Sequence, residues 1–193
     1  MTIIAVAKYK DNVVISSDSN FEDEYIKAQN LVHRSKIIKF AGIAVGYCGS
    51  AFMGTILRKL AIDKEFLKND WIEMKDFTDA LSFAEEVFND AKEVSKKRLM
   101  SESTSDKELE GTELLIAAKS GIYSVEDSLE VTDYHNFYMV GSGKEVAMGA
   151  MHVLYPKIKG METLREAVET SVAVACKYAV GCGLPINTIV LGE

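Results

Sequence analysis

The second residue of the chain, Thr2, carries a hydroxyl nucleophile and stands directly behind the initiator Met1. Because the threonine side chain is small, we expect a methionine aminopeptidase to remove Met1 and leave Thr2 with a free α-amino group. That amine can act as the general base for the hydroxyl of the same residue. A free α-amino group titrates at about 7.7–8.0, so no histidine is needed to accept the hydroxyl proton. The alternative is a buried N-terminal strand whose second residue happens to be threonine.

Two charged residues are candidates for assisting Thr2. Asp18 lies near the end of a second predicted strand, and antiparallel pairing with the first strand would bring it back towards Thr2. Lys36 begins the apolar run 36–40, and a lysine held there by Asp18 would put positive charge beside the Thr2 hydroxyl. Such a charge favours the alkoxide. The alternative for each residue is a solvated strand end.

Two glycine-containing corners between a strand and a helix could complete the site. The backbone N–H of Gly49 could face a developing oxyanion, or the glycine could serve backbone conformation alone. Ser142, between Gly141 and Gly143, could hydrogen-bond to the Thr2 amine or cap the following helix. Cys48 has no base at a fixed spacing, so we interpret it as a strand-end packing residue.

Composition excludes several classes of function. The 193 residues, with 48% hydrophobic and 26% charged side chains, predict one globular domain over residues 1–193. A formal charge of −7 without a basic cluster gives no footprint for nucleic acid. No apolar run approaches the roughly 18 residues that span a bilayer, and no secretory signal is recognisable, so we expect a cytoplasmic protein without a membrane partner.

The remaining cysteines and histidines indicate neither a disulfide framework nor a metal site. Three cysteines, an odd number, lie in apolar surroundings and are typical of reduced intracellular thiols: Cys48, Cys176 and Cys182. Cys182 and Gly183 together are typical of a loop. The three histidines are scattered without metal-ligand spacing: His33, His135 and His152. We expect no cofactor.

The periodicity of apolar residues predicts runs of strands and runs of helices. Strands are predicted at about 2–8, 12–18, 32–40, 43–47, 112–118, 122–124, 137–140 and 186–191. Helices are predicted from an N-cap at Ser50 to about 60, and at about 76–99, 144–154 and 162–180. Residues 21–30 and 101–110 are predicted to be loops, the second of them a mobile surface loop.

This order predicts an α+β fold rather than an alternating parallel sheet. Two antiparallel sheets between two helix pairs, a four-layer αββα sandwich, would satisfy the pattern. Each sheet would then have one face against the other sheet and one against helices. The strands are therefore expected to be apolar on both faces.

Taken together, these residues resemble the N-terminal-nucleophile hydrolases of the proteasome β-subunit family, which includes the bacterial HslV-type peptidase. The resemblance extends over nearly the whole chain. Its most specific part is 2–6 followed by 13–19, where Asp18 falls at the family's spacing from Thr2. The segments 36–38, 45–51 and 140–143 are similar to those that carry the family's lysine, oxyanion N–H and serine.

The resemblance implies a threonine peptidase with Thr2, Asp18, Lys36, Gly49 and Ser142 in the catalytic site. Thr2 would attack a peptide carbonyl, and water would release the acyl-enzyme ester. The subunits would stack as homo-oligomeric rings, hexamers or heptamers, around a chamber that receives unfolded polypeptide from an ATP-dependent unfoldase. By position, four residues resemble those lining the pocket for the side chain before the cut: Phe21, Arg34, Tyr47 and Ala51. An aromatic-lined pocket favours apolar or bulky side chains, although Arg34 adds a charge.

The sequence departs from the family's pattern near the end of the long helix. Residues 177–183 contain neither the aspartate nor the serine that brace the nucleophile in many members. The bacterial HslV-type peptidase departs there too, and like it this chain is expected to have no propeptide beyond Met1. Two alternatives stay open: a non-catalytic ring or assembly subunit that keeps Met1, and an N-terminal-nucleophile amidase acting on a small amide.

Overall fold

A computed structural model describes residues 1–23, 26–28, 35–68, 71–99 and 107–192. Within these ranges, residues 21–23, 26–28, 72 and 99 are described by their backbone alone. The described strands are β1 Ile4–Tyr9, β2 Asn12–Asp18, β3 Phe21–Asp23, β4 Ile26–Ala28, β5 Ile37–Lys39, β6 Ile43–Cys48, β7 Glu113–Ala118, β8 Ile122–Glu126, β9 Val131–Tyr134, β10 Phe137–Val140 and β11 Ile186–Leu191. The longer helices are α1 Ala51–Leu60, α2 Phe77–Leu99, α3 Lys144–Leu154 and α4 Met161–Tyr178.

The strands form two main antiparallel sheets and one small hairpin. One main sheet has the strand order β10-β1-β2-β11, and the other has the order β5-β6-β7-β8-β9. Among the strands of the described residues, β3 and β4 pair only with each other. Every pairing between the described strands is antiparallel.

The two main sheets stack face to face, and a pair of helices covers the outer face of each. Ile3, directly before β1, and the β1 residues Ala5 and Ala7 belong to a buried cluster with α3 and α4, whereas Ile4 and Val6 pack against the other sheet. The outer face of the five-stranded sheet is buried against α1 and α2. The predicted α+β four-layer sandwich is confirmed, and the strands are apolar on both faces because both are covered.

The strand register of the four-stranded sheet places Asp18 and Ser142 beside the N-terminal residues of the chain. Strand β1 pairs with β2 so that Ile4 faces Ser17, which puts Asp18 opposite Ile3. Strand β1 pairs with β10 so that Ile4 faces Val140, which continues to Ser142 opposite Thr2. Because β1 and β2 are joined by a tight turn at residues 10–11, Thr2 and Asp18 come together whenever this hairpin forms.

Three local predictions were wrong. Residues 21–30 were predicted to be a loop, but they contain β3 and β4, in which Phe21 faces Ala28. Both strands are too short to show an alternating pattern. Of the third strand, predicted at 32–40, the described residues 35–40 contain only β5, three residues long, and residues 29–34 lie outside the described part. Within the loop predicted at 101–110, residues 107–109 are helical and 101–106 are not described.

Strand β9 was not predicted because it lies at the outer edge of its sheet. Its sequence, Val131 to Tyr134, includes the exposed polar residues Thr132 and Asp133 and has no buried face. Edge strands of this kind gain stability from backbone pairing more than from apolar burial. Among the helices of the described residues, none is both long enough and apolar enough to cross a membrane.

Candidate active site

Asp18 and Lys36 form a buried ion pair behind the N-terminus. Lys36 Nζ lies 2.7 Å from Asp18 Oδ1, and the two side chains are 9% and 0% exposed. The alternative that these residues are solvated strand ends is therefore wrong. A pair so deeply buried persists only when its remaining hydrogen-bonding groups are also satisfied.

Backbone N–H groups satisfy the rest of the Asp18 carboxylate. Ile3 N donates to Oδ1 at 3.0 Å, and Asn20 N and Gly183 N each donate to Oδ2 at 3.2 Å. Hydrogen bonds to a charged acceptor are stronger than those between neutral groups. The carboxylate thus has a fixed orientation, and it joins β1, the end of β2 and the segment after α4 at one point.

Lys36 reaches from this carboxylate to the peptide bond before Thr2. Its Nζ donates a second hydrogen bond to the Met1 carbonyl oxygen at 3.0 Å. The ammonium group therefore contacts the residue directly before Thr2, whose hydroxyl is the candidate nucleophile. Thr2 and Lys36 are 34 positions apart in sequence, and the stacking of the two main sheets, in which Ile4 and Ile37 share one buried cluster, brings them together.

Ser142 contacts the Thr2 backbone through its hydroxyl. The Thr2 backbone N–H donates to Ser142 Oγ at 3.3 Å, and the same hydroxyl lies 3.4 Å from the Thr2 carbonyl oxygen. The N-cap position of α3 is Gly143, and the helix has no side-chain capping bond, so Ser142 does not cap it. Of the two roles left open for Ser142, the structure supports the contact with the Thr2 nitrogen.

Gly141 holds the Thr2 backbone in place and allows a sharp test. Its φ is +94°, and a Cβ added to it would overlap the Thr2 carbonyl oxygen. We expect Gly141→Ala to lower the free energy of unfolding by about 1–3 kcal/mol from backbone strain alone, with the steric overlap adding to it. Urea unfolding followed by circular dichroism measures this. As a control, Gly149→Ala in α3 meets no atom within 4 Å and should stabilise by about 0.5–1 kcal/mol.

Gly49 stands at the corner between β6 and α1, with a free backbone donor. Its φ is +92°, and a Cβ there would lie 2.5 Å from the Gly111 carbonyl oxygen. No acceptor within the described part of the chain takes its N–H. Two residues earlier, Tyr47 N donates to the Lys36 carbonyl at 3.1 Å, which sets this corner beside the Lys36 strand. Glycine is therefore required at position 49 for the positive φ of the backbone and, among the described residues, its N–H group also remains available to a ligand.

Met1 lies directly against the candidate site. Its residue surface is 57% exposed, while its side chain packs on Gly181, where a Cβ would come within 2.5 Å of Met1 Cβ, Sδ and Cε. The Thr2 nitrogen is an amide as long as Met1 is attached. In this form it can donate a hydrogen bond but cannot accept a proton from the hydroxyl.

The two cysteines nearest the site are held as neutral thiols. Burial, followed by the charge of Glu113, raises the pKa of the Cys48 thiol to about 12. Burial, followed by the charge of Asp18, also raises the pKa of Cys182 above its usual value. Because the thiolate is the nucleophilic form, neither thiol is activated. Cys182 lies beside Ser142 and Gly143, a contact that the sequence pattern of 177–183 did not indicate.

A cavity of about 600 Å³ opens beside Lys36. Two of the predicted pocket residues, Tyr47 and Ala51, line it. The Phe21 side chain and Arg34 lie outside the described part, so their predicted roles remain predictions. The sequence reading missed several further lining residues: Ser19, Asn20, Ser50, Phe52, Thr55, Arg58, Arg98 and Glu108. These come from segments far apart in sequence, and no motif connects them.

Comparison with solved structures identifies the fold. Two structures of BPH from Thiobacillus denitrificans are similar: the complex with epoxomicin has a TM-score of 0.74 at 21% identity, and BPH alone has 0.75 at 20%. The alignments cover 99% of this chain and 100% and 99% of those chains. Eukaryotic HslV from Trypanosoma brucei is also similar, with a TM-score of 0.64, 16% identity and 99% of both chains covered.

These similarities confirm the predicted resemblance at the level of the fold. The four-layer sandwich is the N-terminal-nucleophile hydrolase fold, in the form found in HslV-type, proteasome-like peptidases. A scan against family models and a search of curated proteins gave no match. The fold was therefore identified from structural similarity, whereas the evidence for the site residues is their geometry in this chain.

Proposed function

We propose that this chain is the threonine-type endopeptidase subunit of a self-compartmentalising protease, with Thr2 as the nucleophile after Met1 is removed. The observation that carries the proposal is the position of Lys36. Its Nζ is held by the buried carboxylate of Asp18 and donates to the carbonyl that precedes Thr2. A positive charge next to the residue that carries the nucleophilic hydroxyl favours the alkoxide and lowers the barrier to forming it.

The proposed reaction uses four residues of this chain directly, and a fifth, Asp18, holds Lys36 in place. The free Thr2 amine takes the hydroxyl proton, and Oγ attacks the peptide carbonyl carbon. The Gly49 N–H donates to the resulting oxyanion, and Lys36 stabilises the negative charge on Oγ as it develops. The intermediate collapses when the Thr2 ammonium gives its proton to the departing amine, which leaves an acyl ester on Oγ. The same amine then activates water to hydrolyse the ester, and Ser142 keeps the amine oriented.

Further support comes from the similar structures and from the surface. One BPH structure is a complex with epoxomicin, and HslV shares the same fold. Around the end of α4, three large apolar residues are exposed next to the site: Tyr178, Val180 and Leu184, at 67%, 79% and 57%. Large apolar residues exposed within one short segment fit a protein contact surface. We infer a single-domain cytoplasmic subunit of a homo-oligomeric ring that receives unfolded polypeptide from an ATP-dependent unfoldase.

The test combines intact mass with a peptidase assay on the wild type and on Thr2→Ala. We expect cell-made wild type to lack Met1 and to hydrolyse fluorogenic peptides, and Thr2→Ala to be inactive because alanine has an α-amine but no hydroxyl to attack the peptide carbonyl. The Ser142-to-Thr2 contact uses backbone atoms, so Thr2→Ala should fold normally. Equal activity of the two proteins, with Met1 absent from the wild type, contradicts the proposal.

One observation favours a second candidate, a non-catalytic ring subunit that keeps Met1. The Met1 carbonyl accepts from Lys36 and the Met1 side chain is packed on Gly181, so the residue has a place in the fold. A peptide epoxyketone distinguishes the two candidates, because its two electrophilic carbons match a hydroxyl and an amine on one residue. Mass evidence of this adduct on Thr2 would exclude the non-catalytic subunit.

A further inference from the structure

We propose that the cavity beside Lys36 accepts an acidic side chain from the residue before the cleaved bond, and that Arg58 selects it. This inference rests on the proposed peptidase function and names the substrate class of that site. It differs from the expectation of an apolar pocket because the cavity is lined by charged and hydroxyl-bearing residues as well as aromatic ones.

The cavity has the right position to take this side chain. Lys36 contributes to its wall and also donates to the carbonyl preceding Thr2, while Ser50 in the wall follows Gly49 directly. A substrate carbonyl attacked by Thr2, with its oxygen at the Gly49 N–H, lies between these two residues. The side chain on the acyl side of that carbonyl is then the one adjacent to the cavity.

Arg58 presents a fixed guanidinium group to this space. Its Nη1 donates to the Gly54 carbonyl one helical turn earlier in α1, and its Nη2 donates to the Ser35 carbonyl, both at 2.8 Å. A guanidinium carries more N–H groups than these two bonds use. Because both anchors are backbone oxygens, the charge of Arg58 is held in place without being neutralised.

The other cations of the cavity already have anionic partners. Lys36 is paired with Asp18, and Arg98 is paired with Glu108 and also lies over the Phe52 ring at 4.8 Å. For Arg58, no carboxylate among the described residues lies within ion-pair distance. The described lining thus has one uncompensated positive charge, and it is only half-buried, so a substrate can reach it.

The remaining lining also fits a carboxylate better than an apolar or basic side chain. Hydroxyl groups of Ser19, Ser50, Thr55 and Tyr47 surround the space and can donate to carboxylate oxygens. An apolar side chain would remove these polar groups from water without replacing their hydrogen bonds. A basic side chain would be repelled by Arg58. The volume of about 600 Å³ accommodates a glutamate without rearrangement.

The experiment measures kcat/KM of the Met1-free protein on four peptidyl-coumarins that differ only in the last residue: glutamate, glutamine, leucine or arginine. We expect kcat/KM for the glutamate peptide to exceed that for its neutral isostere glutamine by about 10- to 100-fold. Hydrogen bonds between charged partners are stronger than those with a neutral partner, and the difference in free energy corresponds to a factor of roughly this size. Arginine should be the slowest. In Arg58→Met the glutamate-to-glutamine ratio should fall close to one, and in Arg58→Lys part of the preference should remain.

Two controls separate selectivity from folding and from catalysis. Arg165→Met removes the same charge from an exposed position on α4, paired there with Glu169, and should leave all four rates unchanged. Hydrolysis of the leucine peptide by Arg58→Met shows that the variant is folded and active. A wild type that cleaves glutamate and glutamine peptides equally, or an Arg58→Met that keeps the preference, overturns this inference alone. A wild type that cleaves none of the peptides overturns the proposed function, and this inference with it.

Discussion

Protein that begins at Thr2 is expected to hydrolyse peptides about 10²- to 10⁴-fold faster than protein that keeps Met1, the range that general acid–base catalysis contributes. With Met1 attached, the Thr2 nitrogen is an amide that donates to Ser142 Oγ, and Lys36 Nζ is engaged by the Met1 carbonyl. Removing Met1 converts the amide to an amine that can accept a proton. It also frees Lys36 Nζ from the Met1 carbonyl, while Asp18 still holds the lysine in position.

The two forms can be made by fusing the chain to a carrier and cutting the purified fusion either directly before Thr2 or directly before Met1. Intact mass verifies each product, and the same fluorogenic peptide measures both rates. A third product that begins with alanine in place of Thr2 is the matched control, since it has a free amine but no hydroxyl. Equal rates for the Met1 and Thr2 forms would mean that the α-amine is not the base.

Breaking the Asp18–Lys36 pair is the second change with a large expected effect. Asp18→Asn should lower the free energy of unfolding by about 3–5 kcal/mol, because it leaves the Lys36 charge buried without a counter-ion. The asparagine NH₂ group would also face N–H donors, since Ile3, Asn20 and Gly183 all donate to this side chain. Peptide hydrolysis should fall at least about 100-fold, as expected when a charge-stabilising group is lost.

Lys36→Met should destabilise less than Asp18→Asn, although it should impair hydrolysis at least as strongly. The Asp18 carboxylate keeps its three backbone donors in this variant, so the remaining charge is partly satisfied. In the double variant Asp18→Asn/Lys36→Met the stability losses should be less than additive, with a coupling of about 0.5–3 kcal/mol, and hydrolysis should not recover. Urea unfolding and the peptidase assay measure the two effects separately.

The exposed pair of Arg165 and Glu169 on α4 is the control for the loss of an ion pair as such. Its atoms lie 2.8 Å apart, but Glu169→Gln should change neither stability nor hydrolysis measurably, because solvent screens the pair. Strictly additive losses in the Asp18 and Lys36 double variant would contradict the coupling. Full hydrolysis by Lys36→Met would remove Lys36 from the proposed mechanism.

Much of the fold was predictable because it follows from local periodicity. Strand β1 carries the apolar run 4–7 and β2 the run 13–15, and α2 carries one apolar stripe, so both element type and the covering of both sheet faces could be inferred. Elements with weak patterns were missed: β3 and β4 are three residues each, and β9 has no buried face. These strands are specified by backbone pairing with neighbours, which a single stretch of sequence does not encode.

Some residues of the candidate site were likewise predictable from local sequence, and others were not. The approach of Asp18 to Thr2 was accessible from sequence, because one tight hairpin sets the register between β1 and β2. Lys36 was indicated by resemblance, since the residues between β2 and β5 leave its distance from Thr2 undetermined. Arg58 was not indicated at all. Its anchors at Gly54 and Ser35 belong to two different elements and only meet in the folded chain.

By itself, the sequence determined the layer order of the protein and the chemical groups at its N-terminus, because apolar periodicity and residue type are local properties. The tertiary structure alone decided the states of those groups. It buried Asp18 with Lys36, placed the lysine on the Met1 carbonyl, and turned Arg58 towards the cavity without an anionic partner in the described chain. Burial and charge pairing depend on contacts between distant segments, and for that reason only the folded chain reveals them.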